Sequence, residues 1–266
     1  MNDELERIIN SNNYLTPSRY ISGRIVEYDI KAANITMLRK YGKISDDYYS
    51  YLQRLPKENR EIEIGLLIRK DKSYYDTIHN GIVEAKKKLF LSNNLESYQI
   101  CRIANDAVYV NKPIDLSNII FDDIEFVKKS IWSNMITLNK HLIIFSYRDG
   151  IDTHVDIKGI SKQAQELHGP YMITFILSAI NIMETGSTEA ALNYITTFVE
   201  DYINLRLPKE YYRELSPESL YHYKNSQFYL MEIEDINSID INYNLYLIRE
   251  LYSIILGQYN IEINRR

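Results

Sequence analysis

Ile25-Val26-Glu27-Tyr28-Asp29-Ile30-Lys31-Ala32-Ala33-Asn34 carries an acid, Asp29, near the tip of an apolar run. A second stretch has the same design: Ile100-Cys101-Arg102-Ile103-Ala104-Asn105-Asp106-Ala107-Val108-Tyr109-Val110. Both read as strands, and 106 − 29 = 77 positions separate the two acids. A carboxylate inside a buried strand is costly unless a cation meets it. Two on neighbouring strands repel each other unless a divalent ion lies between them, which is the arrangement two-metal phosphoryl transfer needs. Two solvated, idle acids at strand ends are the plainer reading of the same spacing.

The surroundings of these stretches read as mixed α/β. Residues 3–13 suggest a short polar helix, and Gly23 a bend ahead of the first strand. A helix is expected over residues 32–41, closed by Gly42. Ser45 is a plausible N-cap for a further helix that Pro56 stops. Residues 57–72 are strongly charged, with Lys57, Arg60, Arg69, Lys70 and Lys72 among aliphatic residues, and form the most basic stretch near the two acids. They suit either a solvated amphipathic face or a clamp for a triphosphate or nucleic-acid backbone.

The periodicity predicts a helix over 73–91, whose Lys86-Lys87-Lys88 would complement the helix dipole. Strands are expected over 98–104 and 106–111, a helix over 122–138, and a hairpin over 141–157 turning at Arg148-Asp149-Gly150. Beyond residue 161 the pattern turns helical, over 162–167, 170–184, 187–204 and 240–257. The expected class is α+β: a mixed domain over 1–160 and a mainly helical region over 161–266.

Composition bounds the partners. The 266 residues have a net charge of −5, so no global field draws the chain to nucleic acid, and such binding would need local basic patches. Tyrosine is abundant at 24 copies, as an AT-rich coding sequence would produce, and is discounted as a functional signal. Cys101 is the single cysteine and reads as a small buried hydrophobe in a reducing, cytoplasmic compartment. The acidic N-terminus does not read as a secretory signal, no apolar run is long enough for a bilayer, and the five histidines lack zinc spacing.

The order of segments resembles the palm of family B DNA polymerases. Their motif A, roughly Asp-x-x-Ser-Leu-Tyr-Pro-Ser, is similar to Asp29-Ile30-Lys31-Ala32-Ala33-Asn34. Their motif C, roughly Tyr-Gly-Asp-Thr-Asp-Ser-Val-Tyr-Val, is similar to Arg102-Ile103-Ala104-Asn105-Asp106-Ala107-Val108-Tyr109-Val110. A Lys-Gly-Ile segment after a hairpin matches Lys158-Gly159-Ile160, and residues 239–247 are similar to a thumb segment. The likeness runs from about residue 20 to 256.

The resemblance implies an antiparallel palm with reduced fingers at about 42–75 and a thumb-like region after 161. It implies Asp29 and Asp106 as ligands of Mg²⁺ or Mn²⁺, with Lys158 near a primer end. At the nucleotide it implies the Ile30 carbonyl and Asn34, with Lys57 and Arg60 for the triphosphate. The chain departs from the family where Ala104 replaces the first acid of motif C, Ala107 its serine, and Asn34 the tyrosine that excludes ribonucleotides. The fingers motif Lys-x-x-x-Asn-Ser-x-Tyr-Gly is absent, and no exonuclease is expected ahead of the palm.

The expected function is therefore a minimal nucleotidyltransferase of phage or mobile-element type. It would use nucleic acid and nucleoside triphosphates, with no membrane, in the cytoplasm (the host's, for a viral protein). A second reading is an inactive palm serving as a binding or assembly subunit among other proteins. A third is an unrelated α+β protein.

Overall fold

The computed structural model describes residues 3–115, 120–121, 123–140, 142–149, 152–159, 162–212, 221–224, 227–230 and 242–264. The chain is α+β and divides into two compact units. The first comprises residues 1–17 and 22–134, the second 18–21 and 135–266.

The first unit starts with α1 (Asp3–Asn10) and β1 (Asn13–Leu15), followed by β2 (Tyr20–Ile30). Helices α2 (Ala33–Lys40), α3 (Asp46–Arg54), α4 (Lys57–Lys70) and α5 (Ser73–Ser92) come next. They lead into the hairpin β3 (Ile100–Ala104) and β4 (Ala107–Val110), the short β5 (Ile120–Phe121), and β6 (Ile124–Asn139). Its strands run in the order β1-β3-β4-β2-β6, with β5 beside β6. The pairings of β1 with β3, β3 with β4 and β2 with β4 are antiparallel.

The later half of β2 is mostly apolar because it is central: Ile25, Val26, Tyr28 and Ile30 are all buried. Helix α2 leaves it through Ala32 at φ 48. It ends as expected at Gly42, where φ is 66 and the backbone N–H groups of Gly42 and Lys43 donate to Arg39 O and Leu38 O. Ser45 caps α3 by accepting from the Tyr48 N–H. The core joins Leu5, Ile8 and Ile9 to Tyr28, Ile35 and Leu38 and to Ile82, Leu89 and Phe90 of α5.

Gly81 is where α5 meets α2. A Cβ there would lie 2.7 Å from Met37 Sδ and 2.9 Å from Tyr41 Cε2. Gly81→Val is expected to lower stability by about 2 kcal/mol, read by urea denaturation, because overpacking outweighs any relief of backbone entropy. An unchanged midpoint would mean that this contact yields freely.

Residues 122–138, predicted as a helix, instead belong largely to β6. Apolar residues at 124, 127, 131, 135 and 138 mimic a helical stripe, but Ile124, Phe126, Trp132 and Asn134 are buried at even positions and residues 134–138 are buried without a break. Ile, Val, Thr and aromatic side chains suit that two-residue period.

The second unit holds the later part of β6, then β7 (Leu142–Asp149), β8 (Asp152–Lys158), α6 (Lys162–Thr185) and α7 (Thr188–Ile203). The pair β9 (Tyr221–Lys224) and β10 (Gln227–Leu230) and the helix α8 (Asn242–Asn264) follow. Ile136, Leu138, Leu142 and Ile144 pack on α6, α7 and α8. This explains why β7 and β8 cluster with the helical part although the secondary structure changes character only after Lys158.

In the hairpin, Arg148 pairs with Thr153 and Asp149 with Asp152, so the expected turn at 148–150 moves later and Gly150 falls outside the described residues. Helix α6 runs through Gly169-Pro170, where a break was expected. Of the thumb-like stretch 239–247, residues 239–241 lie outside the described residues.

Among the described residues no helix is long and apolar enough to cross a membrane. Cys101 is buried as expected, and burial pushes its thiol up to about 12, which leaves it inert.

Candidate functional site

Asp29 stands one residue before the end of β2, and Asp106 stands in the turn between β3 and β4. The β2–β4 register pairs Glu27 with Tyr109 and Tyr28 with Val108, which carries the end of β2 toward that turn. Asn105, in the left-handed region at φ 54, allows the tight reversal, and its N–H donates to Asn12 O at 2.7 Å.

The two carboxyl groups meet. Asp106 is hydrogen-bonded to Asp29, and its pKa is pushed up to about 7. Burial is the main cause, followed by that hydrogen bond and the negative charge of Asp29. Burial and the neighbouring Asp29 together favour the protonated form of Asp106 to higher pH than in a free carboxyl.

Three further groups complete the cluster. Glu27, two residues before Asp29 on β2, is 1% exposed and accepts from the Tyr109 hydroxyl at 2.9 Å. Lys129 on β6 places Nζ 3.2 Å from Asp29 Oδ2 and 3.4 Å from Glu27 Oε1. Burial works against its charge, but Glu27 and Asp29 together raise its pKa. Lys86 on α5 is fully buried, and its Nζ donates to Ser11 O at 2.9 Å. Burial pulls its pKa down to about 8, and the charge of Asp106 pulls the other way.

Asn105 therefore ties the hairpin turn to the segment between α1 and β1, and Lys86 ties α5 to the same segment. In that segment Asn12 Nδ2 also pairs with His79 Nδ1 at 2.8 Å.

The donor set suits a hard divalent cation. The acids offer hard carboxylate oxygens, with Asp29 and Asp106 in mutual contact and the ammonium of Lys129 beside Asp29. Among the described residues no group of three or more His, Cys, Asp or Glu could hold a metal ion by itself. Any ion here would therefore take its remaining ligands from water or substrate oxygens, as Mg²⁺ commonly does.

The other residues singled out in the sequence are dispersed. Ile30 ends β2 and is buried in the first core. Asn34, in the first turn of α2, donates to Glu61 Oε2 at 3.0 Å. Lys57 opens α4 and is exposed, and Arg60 follows one turn later, partly buried. Lys158 ends β8 in the second unit and pairs with Asp156 at 2.6 Å. Lys31, considered as a further neighbour of Asp29, pairs with Glu125 at 2.9 Å on the surface.

Sequence reading missed Glu27, Lys129 and Lys86. Glu27 was in plain view, since its position in the mostly apolar half of a central strand makes it an expensive acid in need of a partner. Lys129 was hidden by reading β6 as a helix. Lys86 was hidden within a lysine run that suits a solvated helix end.

A family model described as Bacteriophage PBS1 gene 130 protein matches residues 5–257. No curated protein matches the chain. The match takes in both acids, the hairpin that carries Asp106 and most of the second unit, and the chain belongs to this phage protein family, the Bacteriophage PBS1 gene 130 proteins.

Proposed function

We propose that the protein is a minimal nucleotidyltransferase with a palm resembling that of family B DNA polymerases, in which Asp29 and Asp106 hold Mg²⁺ or Mn²⁺. The observation that carries this reading is the contact between the two carboxyl groups at the end of β2 and the β3–β4 turn. An antiparallel sheet that sets a strand–helix unit beside a β-hairpin supports it.

When bound, the divalent ion would lower the pKa of a 3′-hydroxyl and neutralise the triphosphate. The chain's own groups supply the rest. Asp106 gives up its proton before it can act as a full ligand. Asp29 presents its carboxylate from the rigid central strand. The Asn105 N–H anchors the turn that carries Asp106, and Lys86 holds the adjoining segment to α5.

In this reading the Ile30 carbonyl and Asn34 lie toward the nucleotide, Lys57 and Arg60 toward the triphosphate, and Lys158 toward the primer. Asn34 in place of the family's tyrosine leaves the site open to ribonucleotides. The helices near 42–75 serve as reduced fingers and the region after 161 as a thumb. Partners are nucleic acid and nucleoside triphosphates, in the host cytoplasm.

A second reading has its own support: Lys129 already neutralises Asp29, and Ala104 stands where the family has an acid. On that reading the palm is inactive and serves as a binding or assembly subunit.

The test is extension of a labelled primer on a template with mixed nucleotides and Mg²⁺ or Mn²⁺. Extension that stops on chelation is expected. Silence across templates and both metals would leave the assembly reading.

A further inference from the structure

The five charged groups at the end of β2 form a nearly closed set. Asp29, Glu27 and Asp106 are three acids, and Lys129 and Lys86 are two ammonium groups, with Lys129 3.2 Å from Asp29 and 3.4 Å from Glu27. Such a cluster has little net attraction for a free cation. A divalent ion entering between Asp29 and Asp106 must displace the ammonium on Asp29.

Lys129 is built to be displaced. Its side chain is 52% exposed, so its head can move without opening the core. A second acceptor lies within 3.4 Å in Glu27, which is fixed by burial and by the Tyr109 hydroxyl. Glu27 itself is buried and held by the Tyr109 hydroxyl, with Lys129 already within reach. It offers Lys129 a seat after Asp29 has been lost to another cation.

We infer that Lys129 is an internal competitor for the divalent cation: its ammonium holds Asp29 in the metal-free protein and retires to Glu27 when the ion arrives. The inference rests on the metal reading of the two acids given above. Its consequence is a site that refuses bare cations and accepts them best together with an anionic phosphate ligand, whose charge offsets the entering ion. The nucleotide class that such a gate favours is a metal-bound triphosphate.

The experiment is Mn²⁺ binding to the full chain at pH 7.5 by isothermal titration calorimetry, without nucleotide. Lys129→Met is expected to bind Mn²⁺ at least about fivefold more tightly than wild type, the scale of a half-exposed ion pair. Lys129→Arg, which keeps the competing charge, is expected to stay near wild type.

Lys129→Met leaves Glu27 buried beside Tyr109 with one partner fewer, so the double variant Glu27→Gln/Lys129→Met is included. Its net charge equals that of wild type. Tighter Mn²⁺ binding by the double variant supports direct competition, because a bulk charge effect would leave its affinity unchanged. Wild-type binding that neither variant improves overturns the inference and spares the metal reading. Binding by none of the folded proteins, with folding checked by circular dichroism, overturns both.

Discussion

Asp29→Asn is expected to abolish metal-dependent primer extension, with a loss of at least about 10³-fold if several kcal/mol of charge stabilisation disappear with one carboxylate. The substitution preserves shape and one acceptor oxygen, so a collapse of the strand is not the expected cause. Asp29 has a side chain 26% accessible, and it is the carboxylate that meets the Lys129 ammonium at 3.2 Å. Its loss also removes the partner that keeps the Asp106 proton in place, so Asp106 should ionise at lower pH in the variant. The activity and the titration of Asp106 should therefore change together. A variant that retains more than about a tenth of wild-type extension, a loss of less than about 1.4 kcal/mol, would remove Asp29 from the metal-holding role. Lys158→Ala separates the roles further, because a primer-positioning lysine should raise the primer requirement with less effect on metal dependence.

The acids themselves were readable from the chain because a carboxylate interrupting an apolar run announces its own energetic cost. Asp29 and Asp106 each stood in such a run, and both lie at one site. The helix caps at Ser45 and Gly42 were readable for a similar local reason, since each satisfies backbone groups within a few residues. What was not readable is what depends on a distant strand. Lys129 is counted among the neighbours of Asp29 only after β6 is known to lie beside β2, as the Lys31 N–H to Glu125 O bond reflects. Its stretch satisfies a helical period nearly as well as a strand period, and only burial at Ile124, Phe126, Trp132 and Asn134 separates them. Lys86 is the opposite case. Its sequence surroundings suit an exposed lysine, and only the packing of α5 on the segment around Ser11 buries it. The turn at Arg148-Asp149 was misplaced for want of register, because both residues are as compatible with a ladder pair as with a turn.

Asp106→Asn is expected to make the metal-free protein more stable at pH 8 while removing its ability to gain stability from Mn²⁺. The carboxyl of Asp106 has its pKa raised from the ordinary 3.8 to about 7 in the folded chain, chiefly by burial and then by Asp29. Between about pH 4 and 7 the folded protein therefore binds the proton more strongly than the unfolded chain does. Stability is greatest below that window, falls as pH rises through it, and levels off above about 7. The full amplitude is on the order of 2–4 kcal/mol, taking about 1.4 kcal/mol per unit and allowing for the contact with Asp29. Asparagine cannot ionise and keeps a hydrogen bond to Asp29 within reach, so the variant should lose that pH dependence. It should also melt higher than wild type at pH 8, by roughly 4–8 °C for a gain near 2 kcal/mol in a chain of this size. Saturating Mn²⁺ should then raise the wild-type melting temperature at pH 8 and leave the variant where it was, because binding to the folded state alone is what stabilises. A variant less stable than wild type at pH 8, with the same slope between pH 4 and 7, would mean that Asp106 is an ordinary ionised turn residue. The pairing of acids on which the catalytic reading depends would then be lost with it.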